Sequence, residues 1–139
     1  MMLYVIMRAM KTSPNSLCPC GSRNKYKKCC QKYHKGANPK DVLTLMKSRY
    51  SAYVSRETSY IIKTTHWENP QYNEDKKAWK KELDQFCKST TFTKLEIEDH
   101  TYDTVTFKAY TEQGVLHERS KFVLVDAKWY YLDGEIFEH

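Results

Sequence analysis

Glycine and long apolar runs are both scarce in this chain of 139 residues. The four glycines do not form the glycine-rich loop that cradles phosphate groups. No segment pairs a nucleophile with a neighbouring base, so we expect a protein that is not an enzyme. The longest apolar run, MMLYVIM at residues 1–7, is far shorter than the roughly 20 residues that a membrane-spanning helix needs.

Residues 1–7 also lack the features of an export signal. No basic segment precedes the apolar run, and no small-residue cleavage site follows it. We therefore expect a cytoplasmic protein, a compartment in which thiols stay reduced. Residues 1–16 are interpreted as a disordered extension, and Met7 or Met10 is an alternative start of the chain.

Acidic residues are absent from the first 40 positions, which contain nine Lys or Arg. Residues 41–139 contain 14 basic and 17 acidic side chains, so a basic N-terminal segment precedes a mildly acidic body. A basic surface favours acidic partners such as RNA, an anionic lipid or an acidic protein face. The alternative is a solvated surface that only keeps the protein soluble.

Four of the five cysteines lie in CPCGSRNKYKKCC, residues 18–30. Cys18 and Cys20 form one pair, and after eight intervening residues the adjacent Cys29 and Cys30 form the second pair. This spacing predicts one tetrahedral zinc ion held by four thiolates, and a fully ligated zinc is structural rather than catalytic. A short helical turn before the second pair would bring it to the first.

Other interpretations of this motif remain open. His34 could replace Cys30 as the fourth ligand, an iron–sulfur cluster could replace zinc, or the thiols could be reactive or disulfide-forming. Basic side chains surround the motif, would offset the charge of the thiolates and would form a contact face for an acidic macromolecule. They are Arg23, Lys25, Lys27, Lys28, Lys32 and Lys35.

The segment CPCGSRNKYKKCC resembles the SEC-C motif, the zinc-binding module at the C-terminus of the protein-translocation ATPase SecA. The resemblance covers residues 17–35 and implies that the four cysteines are the zinc ligands. The motif usually has glycine after the serine, where this chain has Arg23. It also implies an adaptor that docks on the ribosome, RNA or a secretion- or chaperone-related protein.

The body after the linker at residues 36–40 combines helical periodicity with later alternation. Asp41 is a predicted N-cap, and the helices are predicted at 42–54, 57–65 and 74–88. Strands are predicted at 92–99, 103–112, 115–125 and 128–133. Short polar connections favour an antiparallel meander with helices packed on one face, which is an α+β fold.

Two charged residues interrupt apolar faces of this body. Arg49 lies on the apolar face of the first helix, and Glu118 lies on the inward face of the third strand, so we expect them to form an ion pair. The pair is either a structural salt bridge or part of a ligand or catalytic site. The predicted pocket residues are Arg49, Tyr53, His66, Trp79, Glu118, Trp129 and Tyr131.

Simpler roles compete with a pocket for several of these side chains. The aromatic residues also suit core packing, and His66 also suits a cap at the end of the second helix. Cys87, alone on an amphipathic helix, is interpreted as a semi-buried apolar residue.

The segments LMKSRYSAYV, IIKTTH, HERSKF and KWYYLDG are similar to the YchJ-like family of bacterial proteins, and in the same order. Members join a SEC-C motif to a domain of the nuclear transport factor 2-like (NTF2-like) fold. The resemblance implies, for residues 41–139, a curved antiparallel sheet wrapped by helices into a cone that often encloses a pocket. The leading hypothesis is a zinc-binding adaptor, and the alternative is a small-ligand-binding protein or enzyme that uses the pocket.

Overall fold

The computed structural model describes residues 12–138, so Met7, Met10 and the first part of the predicted extension lie outside it. A 3-10 turn at Tyr26–Lys28 precedes α1 Gln31–His34, α2 Val42–Ser55, α3 Thr58–Lys63 and α4 Lys76–Ser89. The strands are β1 Phe92–His100, β2 Thr104–Thr111, β3 Gly114–Val125 and β4 Lys128–Ile136. The prediction of an α+β fold is confirmed. No helix among residues 12–138 combines the length and apolar character needed to cross a membrane.

Helix α2 begins where the sequence predicts, because the Asp41 carboxylate accepts a hydrogen bond from the Thr44 backbone N–H at 2.8 Å. The helix ends at Ser55, and the next residue, Arg56, caps it in a left-handed conformation. Most of α2 is buried, with Leu45 and Met46 in the main core and a row of serines that is also inaccessible to solvent. The helix is therefore covered on more than one side.

The sheet has the strand order β1-β2-β3-β4, and every neighbouring pair is antiparallel. The predicted meander is confirmed, with β4 extending to Ile136, three residues beyond the predicted end. The alternation in β3 also agrees with the prediction, since Glu118, Ser120 and Phe122 are all buried. Register shifts place extra residues in β1 and in β4, and such bulges bend the strand that carries them.

The main core lies between the helices and one face of this sheet. Apolar side chains of α2 and α3 pack against Val105, Phe107 and Phe122. Cys87 of α4 belongs to the same cluster, and burial raises the pKa of its thiol to about 11. Its predicted role as a small apolar residue agrees with this placement.

The β3–β4 connection consists of Asp126 and Ala127 alone, which have φ angles of 49° and 66°. Two positive φ angles define the type I′ hairpin turn, whose second position is usually glycine. Ala127 therefore holds a conformation that an L-residue adopts only at a cost of roughly 1 kcal/mol.

We expect Ala127→Gly to raise the free energy of unfolding by about 0.5–1 kcal/mol, because glycine relieves this strain. Thermal denaturation should show a melting temperature higher by roughly 2–4 °C. Ala78→Gly, inside α4, is the matched control and should lower the melting temperature. A melting temperature that is unchanged or lower in Ala127→Gly would contradict the assigned turn.

Candidate metal centre and cavity

Residues 12–35 form a small unit, called the knob below, in which backbone pairing brings the first cysteines into place. Leu17 and Lys25 form an isolated antiparallel bridge, and the Cys18 N–H donates to the Asn24 carbonyl at 2.8 Å. Residues 12–16, which the sequence assigned to the extension, also contact folded parts of the chain. Pro14 and Ser16 accept backbone hydrogen bonds from Lys27 and Tyr26, at 3.0 and 2.8 Å.

The loop between the cysteine pairs requires two left-handed residues. Gly21 has a φ of 88°, and Arg23 has a φ of 71°. Glycine adopts this conformation without strain, whereas a residue with a side chain, such as Arg23, does so at a cost. At position 23 this chain carries the strain and gains an exposed positive charge.

The second cysteine pair is delivered by the predicted helical turn. The 3-10 turn at Tyr26–Lys28 closes with a hydrogen bond from the Cys29 N–H to the Tyr26 carbonyl at 3.0 Å. Cys30 follows and is the N-cap residue of α1. All four sulfur atoms lie within 4.8 Å of one another, so this cluster can hold a metal ion.

Contacts among the thiols set their proton affinities. Hydrogen bonds from Cys20 and Cys30 hold the pKa of Cys18 well below its ordinary value. The hydrogen bond with Cys18 raises the pKa of Cys20 to about 11, and the Cys18 contact likewise raises the pKa of Cys30. Cysteines bind a metal as thiolates, so a bound cation would have to displace the thiol protons, and its affinity falls as the pH falls.

His34 is directed away from the sulfur cluster by two hydrogen bonds. Its Nε2 donates to the Ser48 carbonyl of α2 at 2.8 Å, which leaves Nδ1 to accept from the Tyr26 hydroxyl. Both ring nitrogens are therefore engaged, and the alternative in which His34 replaces Cys30 is wrong for this geometry. The side chain instead joins the knob to the body, a role that sequence reasoning missed.

The surface of α2 that receives the knob is a row of serines. Ser48, Ser51 and Ser55 recur at helical spacing and are completely buried. The Ser51 hydroxyl lies 3.5 Å from the Cys18 sulfur, and Ser55 donates to the Thr12 hydroxyl at 2.6 Å. Small residues at i, i+3 and i+7 were the sequence signal for close packing here, because they let two backbones approach.

We expect Tyr26 and His34 to be coupled in stability, because each satisfies a partly buried polar atom of the other. His34→Leu should lower the free energy of unfolding by about 1–3 kcal/mol. In the Tyr26→Phe background the same change should cost about 1 kcal/mol less, since the hydroxyl is already gone. Denaturant unfolding of the four proteins gives this difference. Additive effects would show that this hydrogen bond contributes nothing to the stability of the knob.

The structure exposes all six residues of the predicted basic contact face. Within residues 12–138, none of them forms a salt bridge with an acidic side chain. Their charges therefore remain available to a partner. These residues are Arg23, Lys25, Lys27, Lys28, Lys32 and Lys35.

A cavity of about 490 Å³ lies between α2, α4 and the sheet. Four of the seven predicted pocket residues line it: Arg49, Tyr53, Glu118 and Tyr131. Phenylalanine side chains supply much of the remaining wall. The structure thus brings together the two buried charges that the sequence singled out.

Arg49 and Glu118 do not form the predicted ion pair. The Nη1 atom of Arg49 instead donates to the Ile61 carbonyl at 3.0 Å, and to the hydroxyls of Thr64 and Thr65 at 2.7 and 3.2 Å. These acceptors lie at the C-terminal end of α3, where backbone carbonyls lack helical partners. The arginine therefore ties α2 to α3.

Tyr131 separates the two charges. The guanidinium carbon of Arg49 lies 4.6 Å from the centroid of its ring, a cation–π contact. Its hydroxyl donates to Oε2 of Glu118 at 3.0 Å, and Ser120 donates to the same oxygen at 2.6 Å. Burial, and then the neighbouring carboxylate, raise the pKa of Tyr131, so this hydroxyl stays protonated and remains a donor.

The other three predicted pocket residues do not line this cavity. His66 stacks on Trp67 with ring centroids 3.9 Å apart, and its Nδ1 accepts from the Glu68 N–H at 3.0 Å, closing the loop after α3. Trp79 packs edge-on against the ring of Tyr72. Trp129 packs against Tyr102, away from this cavity. Strand alternation and helical spacing predict which face of a helix or strand a side chain lies on, but they do not predict which neighbouring element that part of the face meets.

Each of the two parts of this structure matches a known protein family or motif. The YchJ middle NTF2-like domain matches residues 41–134. The chain belongs to the YchJ-like family. The SEC-C motif matches residues 15–32, so the predicted order of a SEC-C motif and an NTF2-like domain is confirmed.

Relatives of this YchJ-like chain come from several bacteria. A UPF0225 protein of Streptomyces coelicolor is 38% identical, over 90% of this chain and 99% of its own length. A UPF0225 protein of Bordetella pertussis is 37% identical over 91% and 99%, and one of Serratia proteamaculans is 31% identical over 85% and 82%. No solved structure matches the chain.

Proposed function

We propose that this YchJ-like protein is a non-enzymatic zinc-binding adaptor whose knob docks on ribosomal RNA. The observation that carries the proposal is the face of six exposed basic side chains without acidic partners in residues 12–138, arranged around four clustered cysteines. A knob of this size cannot fold on apolar burial alone, and it needs a rigid frame to present those charges as one surface.

Zinc suits the donor set better than other common metals. Four thiolates are soft ligands, and tetrahedral sulfur sites are typical of zinc or iron–sulfur centres. The two-plus-two spacing of the cysteines matches structural zinc sites and differs from the usual iron–sulfur patterns. The ligands would be Cys18, Cys20, Cys29 and Cys30, and the metal would hold the loop against the 3-10 turn.

RNA is favoured as the partner because its phosphates match a cationic surface that offers no deep pocket. Lys27 and Lys28 lie on one exposed 3-10 turn, and Lys32 and Lys35 follow on or directly after α1. Such contacts release counterions, so the affinity depends steeply on salt. Contact with about four phosphates would lower the affinity roughly 100-fold between about 50 and 200 mM salt.

We expect the intact protein to co-sediment with bacterial ribosomes at low salt and to dissociate at high salt. The double variant Lys27→Gln and Lys28→Gln should bind roughly tenfold more weakly at the lower salt and show a smaller salt slope, by about one for each lost phosphate contact. Cys20→Ser combined with Cys29→Ser should lose both the metal and the binding, because the face is no longer held together.

The matched control is Lys81→Gln with Lys88→Gln, which removes two exposed charges from α4 and leaves the knob intact. Its affinity should stay within about twofold of the unmodified protein. Binding that is insensitive to salt would contradict the proposal. Binding that survives the loss of metal would show that the cysteine cluster stabilises the fold but is not needed for docking. Salt-sensitive capture of an acidic protein instead of ribosomes would show that the partner is a protein and not RNA.

A further inference from the structure

We infer that the cavity beneath α2 binds a small carboxylic acid that has an apolar body and a hydroxyl or amino group beside the carboxylate. This inference goes beyond the adaptor function and does not depend on it. It rests on the size of the cavity, on its aromatic wall and on the polar atoms that the fold leaves unpaired inside it.

The cavity has the dimensions and lining of a small-molecule site. Its volume of about 490 Å³ falls within the range of roughly 300–1,000 Å³ found for ligand pockets. Phe86, Phe92, Phe107 and Phe122 come from four different elements and make much of the wall apolar. An apolar ligand body would fit such a wall, and a few polar groups would fix its orientation.

Arg49 lines this space and leaves one edge of its guanidinium without a hydrogen bond to the described residues. All the hydrogen bonds that Arg49 makes to the described part of the chain through its side chain come from Nη1, and Nε and Nη2 make none. No fully buried side-chain nitrogen or oxygen in residues 12–138 lacks a hydrogen-bond partner, so these two atoms remain accessible. Nε and Nη2 donate in parallel from one edge, which is the geometry that binds a carboxylate in a bidentate manner.

Glu118 supplies the complementary group. Oε2 accepts hydrogen bonds from Ser120 and Tyr131, whereas Oε1 accepts none from residues 12–138. Arg49 and Glu118 are each only 8% exposed, so both charges have little contact with bulk water. Oε1 is therefore not fully buried, and a hydroxyl or ammonium group on a ligand in the cavity would donate to it.

The spacing of the two sites limits the ligand further. One tyrosine ring spans them, because Arg49 contacts the face of Tyr131 and Glu118 accepts from its hydroxyl. The acceptor and donor groups of the ligand must therefore lie close to each other. A carboxylate with an adjacent hydroxyl or amino group meets this condition, and a plain fatty acid leaves Glu118 without a donor.

The test uses the full chain and phenyllactate, which combines a phenyl body, a carboxylate and an adjacent hydroxyl. Phenylpropanoate lacks only the hydroxyl and is the matched probe. Titration calorimetry gives the affinities, and proton–nitrogen correlation spectra locate the binding. We expect phenyllactate to shift backbone amides of β2, β3 and β4 around the cavity and to bind about tenfold more tightly than phenylpropanoate.

Glu118→Gln keeps the shape of the side chain and removes its charge. It should weaken phenyllactate about tenfold and leave phenylpropanoate bound at least as well, so the preference for the hydroxyl disappears. A merely structural role of Glu118 would change both affinities together. Glu135→Gln, an exposed carboxylate paired with Arg119, is the control and should retain the preference.

Four outcomes would overturn the inference. The first is that neither probe shifts cavity amides at up to about 10 mM, the range in which fragments of this size bind. The second is that the two probes bind equally well to the unmodified protein, and the third is that Glu118→Gln retains the preference for phenyllactate. The fourth is that sedimentation shows a stable dimer that covers the exposed apolar residues Phe86 and Val115 at the edge of the cavity.

Discussion

The convergence of four cysteine sulfurs within 4.8 Å is the constraint on which the N-terminal part of the fold depends. The cluster of buried residues in the knob contains Tyr26 and the cysteines, with no aliphatic side chain. Units of this size usually need a metal or a disulfide, because too little apolar surface is buried to offset the loss of chain entropy. A metal bound by the four cysteines would supply that energy and would at the same time fix where the surrounding lysines point.

Helix α2 connects the two parts of the molecule. One side carries Ser48, Ser51 and Ser55, which let the knob approach closely, and the hydroxyls of Ser51 and Ser55 contact it. Another side carries Arg49, which holds α3 and borders the cavity. The same 14-residue helix therefore supports both the cysteine cluster and the candidate ligand site. Knob and body share a contact surface that includes side chains, backbone carbonyls and the His34 ring.

Features set by local pattern were predictable from the sequence. The cysteine spacing, the N-cap at Asp41, the hairpin meander and the burial of Arg49 and Glu118 all follow from residues close together in the chain. The partners of those two charges were not predictable in the same way. Tyr131 enters from β4 and separates them, and the free acceptors at the end of α3 bind the guanidinium instead.

The role of His34 and the positions of Trp79 and Trp129 escaped sequence reasoning for a related reason. Periodicity assigns a side chain to a face, but contacts between distant elements decide which part of that face it meets. His34 binds a carbonyl of α2 fourteen residues later, and no local pattern marks that carbonyl as an acceptor. Residues that join separate elements are thus the ones that required a structure.

The measurement that tests this account most directly is X-ray absorption at the metal edge of protein purified without added metal. The account predicts one zinc per chain with a single shell of four sulfur atoms at about 2.3 Å. A shell of three sulfurs with one nitrogen at about 2.0–2.1 Å would place a histidine among the ligands and contradict the hydrogen-bonded role of His34. Protein that retains its fold with no metal bound would contradict the claim that the N-terminal part of the fold depends on a metal at the cysteine cluster.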